Sequence, residues 1–172
     1  MKNKLLILLS FIGFTASAQE LNKKIEDQIK HKEVMLNQCT REGIINFPEF
    51  KASYDVNYEN YKVDSTQLKD LKKLAGDKKI TVVMGTWCGD SKFQVPHFIK
   101  IADALHIDKN ITFICVDGNK KAENGLIDNL KIERVPTFIF FDKKGQELGR
   151  ITESPKKSLE IDMKEILTAK TK

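Results

Sequence analysis

The segment Ile80-Thr81-Val82-Val83-Met84-Gly85 is apolar and rich in β-branched residues, while from Gly89 onward the apolar residues Phe93, Phe98, Ile101 and Leu105 recur at helical intervals. A buried strand must therefore pass into a helix across a very short join, Thr86-Trp87-Cys88. The residue at such a join lies against unpaired backbone N–H groups and the positive end of the helix dipole. Both favour a thiolate over a thiol, and the thiolate is the nucleophile of disulfide exchange. Cys88 occupies that place, followed by Gly89 and Asp90, and Ser91 stands where a two-cysteine C-x-x-C pair would put its second sulfur.

Downstream, the apolar run Ile111-Thr112-Phe113-Ile114-Cys115-Val116 reads as a parallel strand buried on both faces. Arg134-Val135-Pro136-Thr137-Phe138-Ile139-Phe140-Phe141 reads as another strand, and Asp142 to Gln146 as a turn into Glu147-Leu148-Gly149-Arg150. Trp87-Cys88-Gly89 with Pro96 eight residues after the cysteine, and Val135-Pro136-Thr137 before the late hairpin, resemble the two motifs of the thioredoxin family in their order and separation. The resemblance covers roughly Lys79 to Lys170. It implies an α/β, thioredoxin-like three-layer fold with a mixed central sheet. It also implies a cis peptide bond at Pro136, facing the nucleophile, with the backbone of Val135 offered to an extended substrate segment. The stretch from Asp117 to Pro136 is too short for the central insertion of the cytochrome-maturation relatives.

Three departures from the family bear on mechanism. Ser91 replaces the resolving cysteine, and a hydroxyl near neutral pH neither attacks a mixed disulfide nor forms an S–S bond. The places of the family's buried acid and its lysine partner hold Val82 and Phe113, and a chain without a resolving thiol needs no base for one. Gln94 replaces the acid found there in cytochrome-maturation relatives. By resemblance, then, Cys88 and Ser91 form the catalytic pair of positions, Trp87, Gly89 and Asp90 support them, and Val135, Pro136 and Thr137 bind substrate.

The first eighteen residues read as a secretory signal, with Lys2 and Lys4, an apolar run from Leu5 to Phe14, and Ala16-Ser17-Ala18 as the cleavage site. The run is too short to span a bilayer, so the expectation is export to the periplasm or medium without stable membrane insertion. With 41% hydrophobic and 31% charged residues the remainder suits one compact domain. The formal net charge is +5, of which Lys2 and Lys4 account for two, and the lysine pairs are scattered along the sequence. A solvated surface follows, not a nucleic-acid interface. No cofactor is implied, and His31, His97 and His106 show no metal-ligand spacing with the cysteines.

The organisation expected is a signal peptide at 1–18, a mostly helical extension at 19–63, and the thioredoxin-like domain at 64–172. In the extension, Leu21, Ile25 and Ile29 recur at intervals of four and predict a helix over 19–38. Phe50, Tyr54, Tyr58 and Tyr61 predict a second helix entered at Pro48. A third is capped at Asp64 or Ser65, carries Leu68, Leu71 and Leu74 inward, and stops at Gly76. Ala122–Leu130 is expected to be a short helix. The last helix is expected to open at Ser154 with Pro155 in its first turn and to present Leu159, Met163 and Ile166.

Of the three cysteines, Cys115 reads as a buried inert thiol. Cys39 is either an ordinary side chain or a distant resolving thiol for Cys88. Two functional classes stay open. One is a monothiol thiol–disulfide oxidoreductase or isomerase acting through Cys88 on disulfide-bearing or glutathionylated envelope proteins, reset by a thiol reductant. The other is a redox-silent module that clamps extended segments beside Pro136.

Overall fold

The computed structural model describes residues 20–169. The signal-peptide segment expected at 1–18 lies outside them. Six strands form one sheet in the order β1-β2-β4-β3-β5-β6. They are β1 (Lys23–Asp27), β2 (Lys32–Cys39), β3 (Lys79–Met84), β4 (Ile111–Cys115), β5 (Thr137–Phe141) and β6 (Glu147–Thr152). Only β3 and β4 run parallel, and the other pairs are antiparallel, so the sheet is mixed as expected. Among the described residues no helix is long and apolar enough to cross a membrane.

The helix expected over 19–38 is instead a β-hairpin, β1 and β2, joined to the sheet edge through β4. Its stripe of four was misleading, because Leu21 and Ile29 are each more than half exposed. The buried set is Val34, Met35 and Leu36, consecutive residues of a strand covered on both faces. The turn is fixed by Asp27, whose carboxylate accepts from the N–H groups of Ile29 (2.8 Å) and Lys30 (2.6 Å), while His31 takes φ of 52°.

The rest of the extension is helical: α1 (Arg41–Ile45), capped by Thr40, and α2 (Pro48–Asn60), with Pro48 in its first turn. Phe50 is fully buried, and Tyr54, Tyr58 and Tyr61 pack at the edge of the same core. α3 (Ser65–Ala75) is capped by Asp64 and ends at Gly76, as expected. α4 runs Gly89–Leu105 with Pro96 inside it. A proline cannot donate to the carbonyl four residues back. Here that carbonyl, of Lys92, accepts instead from the Asn57 side chain of α2 at 3.1 Å.

α5 (Leu159–Thr168) begins later than the expected Ser154. The Asp162 carboxylate takes the N–H groups of Lys156 (2.6 Å) and Lys157 (3.2 Å), which keeps that stretch as a loop, and Ser158 caps the helix. Leu159 and Met163 point inward as expected, joined by Leu167, while Ile166 is only partly covered.

Side chains alternate across a strand, and the two faces are covered differently. Ile80, Val82 and Met84 of β3 join Phe113, Cys115, Phe138 and Phe140 in the core beneath the helices, where Phe98 of α4 meets Phe138 with ring centroids 4.8 Å apart. Val83, Ile114 and Val116 face the other way, toward Cys88, Ile127 and Val135. That second face lies under the β4–β5 connection, residues 116–136. The helix expected at Ala122–Leu130 is replaced there by two short 3-10 turns, Glu123–Gly125 and Asp128–Leu130. Asn124 and Gly125 both adopt positive φ, which breaks any longer helix.

Candidate active site

Cys88 is the N-cap residue of α4, with extended backbone (φ −84°, ψ 129°) and no capping bond from its side chain. Its N–H donates to the Gly85 carbonyl at 3.0 Å and its own carbonyl receives Lys92 N–H at 3.0 Å, so the backbone holds the turn and leaves the sulfur free. The thiol donates to the Val135 carbonyl at 3.2 Å. Cys88 is 9% exposed, at the margin of the smaller cluster. The Val135–Pro136 peptide bond is cis, and both residues are buried. The Pro136 carbonyl accepts from Glu153 N–H (2.7 Å) and the Thr137 hydroxyl donates to the Arg134 carbonyl (2.7 Å), which fixes the bend on both sides. Nucleophile and proline bend are thus in direct contact.

Trp87 is held by three contacts. Its indole N–H donates to the Val116 carbonyl at 3.0 Å. Its ring lies so near Gly85 that a Cβ there would meet it at 2.6 Å. The ammonium of Lys30, from the hairpin turn, sits 4.1 Å from the ring centroid, a cation–π contact. Gly89 and Asp90 are exposed at the helix start.

Ser91 is fully buried, and its hydroxyl accepts from Gly85 N–H at 3.3 Å. It braces the turn that presents Cys88, and among the described residues no hydrogen bond joins the two side chains. Val82 and Phe113 are direct partners in the β3–β4 register and both are buried, so the polar pair's place is filled by apolar contact. The Gln94 amide donates to the Ser154 hydroxyl at 3.3 Å.

Cys39 is not brought to Cys88. It lies in the larger core cluster with Cys115, on strands paired so that Asn37 faces Cys115 and Cys39 faces Phe113. The neighbouring Cys115 thiol holds Cys39 below the ordinary thiol value, and Cys39, with burial, pushes Cys115 up. All three cysteines are free.

Sequence reasoning missed the part of the extension in this site. The Asp27 carboxylate also accepts Gly118 N–H at 2.6 Å, and a Cβ on Gly118 would meet it at 2.7 Å. Burial works to raise the Asp27 carboxyl, but the N–H groups of Gly118, Lys30 and Ile29 outweigh it and hold the group below the usual carboxylate range. Further along, Glu123 accepts from Lys23 (2.6 Å) and from the Asn37 amide (2.7 Å), and its N–H donates to the Asn37 side chain at 2.9 Å. β1, β2 and their turn therefore pin the connection that carries Ile127, Val135 and Pro136. The Asp27 turn was the available signal, since aspartate caps turns of its own chain.

His97 is buried between rings, stacked on Tyr61 (centroids 4.2 Å apart) and edge-on to Phe93 (4.5 Å). Among the described residues no group of three or more His, Cys, Asp or Glu is arranged to hold a metal ion.

A family model described as thioredoxin matches residues 44–166. Thioredoxin from rabbit (Oryctolagus cuniculus) is 34% identical over 94 residues, covering 54% of this chain and 84% of the relative. Human thioredoxin is 30% identical over 103 residues, covering 59% of this chain and 92% of the relative. Among solved structures, a Pseudomonas aeruginosa protein of unknown function superimposes with a TM-score of 0.52 at 16% identity, over 74% of this chain and 89% of that one, a likeness of fold alone. With the motif pair in contact around Cys88 and most of the chain matched, this protein belongs to the thioredoxin family.

Proposed function

We propose that the chain is an exported monothiol thiol–disulfide oxidoreductase or isomerase that acts through Cys88 on protein disulfides or mixed disulfides of the cell envelope. Family membership supports redox thiol chemistry in general. The observation that carries the finer reading is the placement of one free thiol at the start of α4, 3.2 Å from the Val135 carbonyl, with the buried Ser91 hydroxyl engaged by Gly85 N–H and Cys39 in a different cluster. The Cys88 thiolate attacks one sulfur of a substrate disulfide, forming the Cys88–substrate bond and expelling the other sulfur as a thiolate. In isomerisation a second substrate thiolate attacks its own chain's captured sulfur, so Cys88 leaves unchanged and no net oxidation occurs. In reduction, an external thiolate attacks the Cys88 sulfur, forming a Cys88–small-thiol disulfide and expelling the reduced substrate. A second attacks the small thiol's sulfur, releasing the Cys88 thiolate and a low-molecular-weight disulfide. Val135 and Pro136 lie where an extended segment would be held during both steps.

One observation favours a second reading, a redox-silent clamp for extended segments: Cys88 is largely covered and its thiol proton is directed to a carbonyl. The Cys88→Ser variant separates the two. With a scrambled-disulfide protein as substrate, the wild type restores native pairing and Cys88→Ser does not, while both bind extended peptide. A wild type that binds peptide and never accelerates exchange would establish the clamp.

A further inference from the structure

Lysines that are scattered along the sequence gather on the face of the sheet that carries the nucleophile. Lys120, Lys121 and Lys131 line a cleft of about 390 Å³ together with Asp128, Glu133 and Ile127. Ile127 belongs to the same small apolar cluster as Cys88 and Val135, so the cleft opens on the face of the sheet that carries the thiol. Lys30, from the hairpin turn, holds its ammonium over the ring of Trp87, the residue next to Cys88. Among the described residues none of these four lysines has a carboxylate within 4.0 Å. The nearby acids are largely engaged: Asp27 by three N–H groups, Asp117 by the N–H groups of Asn119 and Lys121, and Glu123 by Lys23 and Asn37. Asp128 and Glu133 stand against the lysines, and the balance of free charge is positive. Backbone also commits to the cleft, since Lys120 and Lys131 both hold left-handed conformations (φ 61° and 51°) that non-glycine residues seldom adopt.

We propose that this cleft and Lys30 form an anion-binding subsite, which selects substrates whose disulfide is flanked by acidic side chains. The proposal rests on the thiol-exchange reading for its substrate, but the subsite's binding is separable from Cys88 chemistry. A segment laid along Val135 and Pro136 with its cystine at Cys88 would carry neighbouring side chains toward Trp87, where Lys30 sits, and toward Ile127, which lines the cleft. Single exposed ion pairs contribute little, so several acting together set the expected preference at about tenfold. Steering would raise the rate of encounter at low salt in the same direction.

The test measures binding of fluorescently labelled cystine peptides by anisotropy, with Cys88→Ser protein so that no covalent step intervenes. Three peptides share a length and differ only in Glu, Gln or Lys at the positions flanking the cystine. The Glu peptide is expected to bind about tenfold more tightly than the Gln peptide and to lose that advantage at high salt. The combined variant Lys30→Gln, Lys121→Gln, Lys131→Asn should abolish the preference; asparagine is used at 131 because it tolerates the left-handed backbone. Lys143→Gln, in the turn at the far end of β5 from Pro136, should leave it intact. Equal affinity for the three peptides, or a preference that survives the triple variant, overturns the subsite. If the Glu peptide binds selectively yet wild-type Cys88 never forms a mixed disulfide with it, the subsite stands and the exchange reading fails. If all three peptides react with Cys88 at one rate and bind alike, exchange stands and the subsite fails.

Discussion

A serine in place of a resolving thiol changes what happens after capture more than capture itself. Ser91 is buried and its hydroxyl accepts from Gly85 N–H, so it shapes the turn that offers Cys88 and takes no part in releasing a bound partner. A sulfur at this position would stand three residues after Cys88 on the first turn of α4, near enough to attack the mixed disulfide. The Ser91→Cys variant is therefore expected to form an internal disulfide, read as a loss of two hydrogens by intact mass, and to discharge partners that the wild type retains. It should also be less stable by about 1–2 kcal/mol in its reduced form, because the buried Gly85 N–H loses its acceptor. Unaltered retention of partners by Ser91→Cys would mean that release is governed elsewhere. This residue-level logic was legible in the sequence, since Trp87 to Ser91 sit at an abrupt strand-to-helix join and Val82 and Phe113 are plainly apolar. The direction of the Ser91 hydroxyl was not, because its partner is a backbone group placed by the turn.

Among the elements, α4 joins the site to the core, and its buried face carries an ionisable ring. His97 is held below the ordinary histidine value chiefly by burial, with Lys100 acting in the same direction and Glu160 opposing. The folded chain therefore favours the neutral ring, while the unfolded chain protonates near the usual 6.5. Stability from this group is present above that value and is lost as pH falls through the lower folded pKa. The unfolding temperature should drop between about pH 7 and pH 5, above the range where the carboxylates titrate. His97→Phe, which keeps a ring against Tyr61 and Phe93, should flatten that drop, and an unchanged slope would place its origin elsewhere. The same scale is where the sequence was hardest to read. Leu21, Ile25 and Ile29 imitate a helical face, whereas the residues that settle the matter, Val34 to Leu36, are buried on both sides and carry no period. The 122–130 segment looked helical until Asn124 and Gly125 turned left-handed. By contrast α3 announced itself through its Asp64 cap and α4 through the helical spacing of its apolar residues, both of which local chemistry enforces.

At the scale of the whole molecule, the extension and the domain share one sheet. β1 and β2 lengthen it beyond β4, and Asp27, Lys23 and Asn37 fasten the connection that bears Ile127, Val135 and Pro136. The extension is thus a structural wall of the site, and its Lys30 reaches Trp87. None of this could be read from residue order, because it depends on which strand the hairpin chooses as neighbour. That choice also separates the thiols, leaving Cys39 with Cys115 and Cys88 on its own. The most direct test of the account is to mix the reduced protein with a small aromatic disulfide and follow intact mass without reductant. A single adduct, mapped to Cys88 and persisting until an external thiol is added, is the predicted result. No adduct at Cys88, or an adduct that discharges unaided to leave a Cys39–Cys88 disulfide, would contradict it.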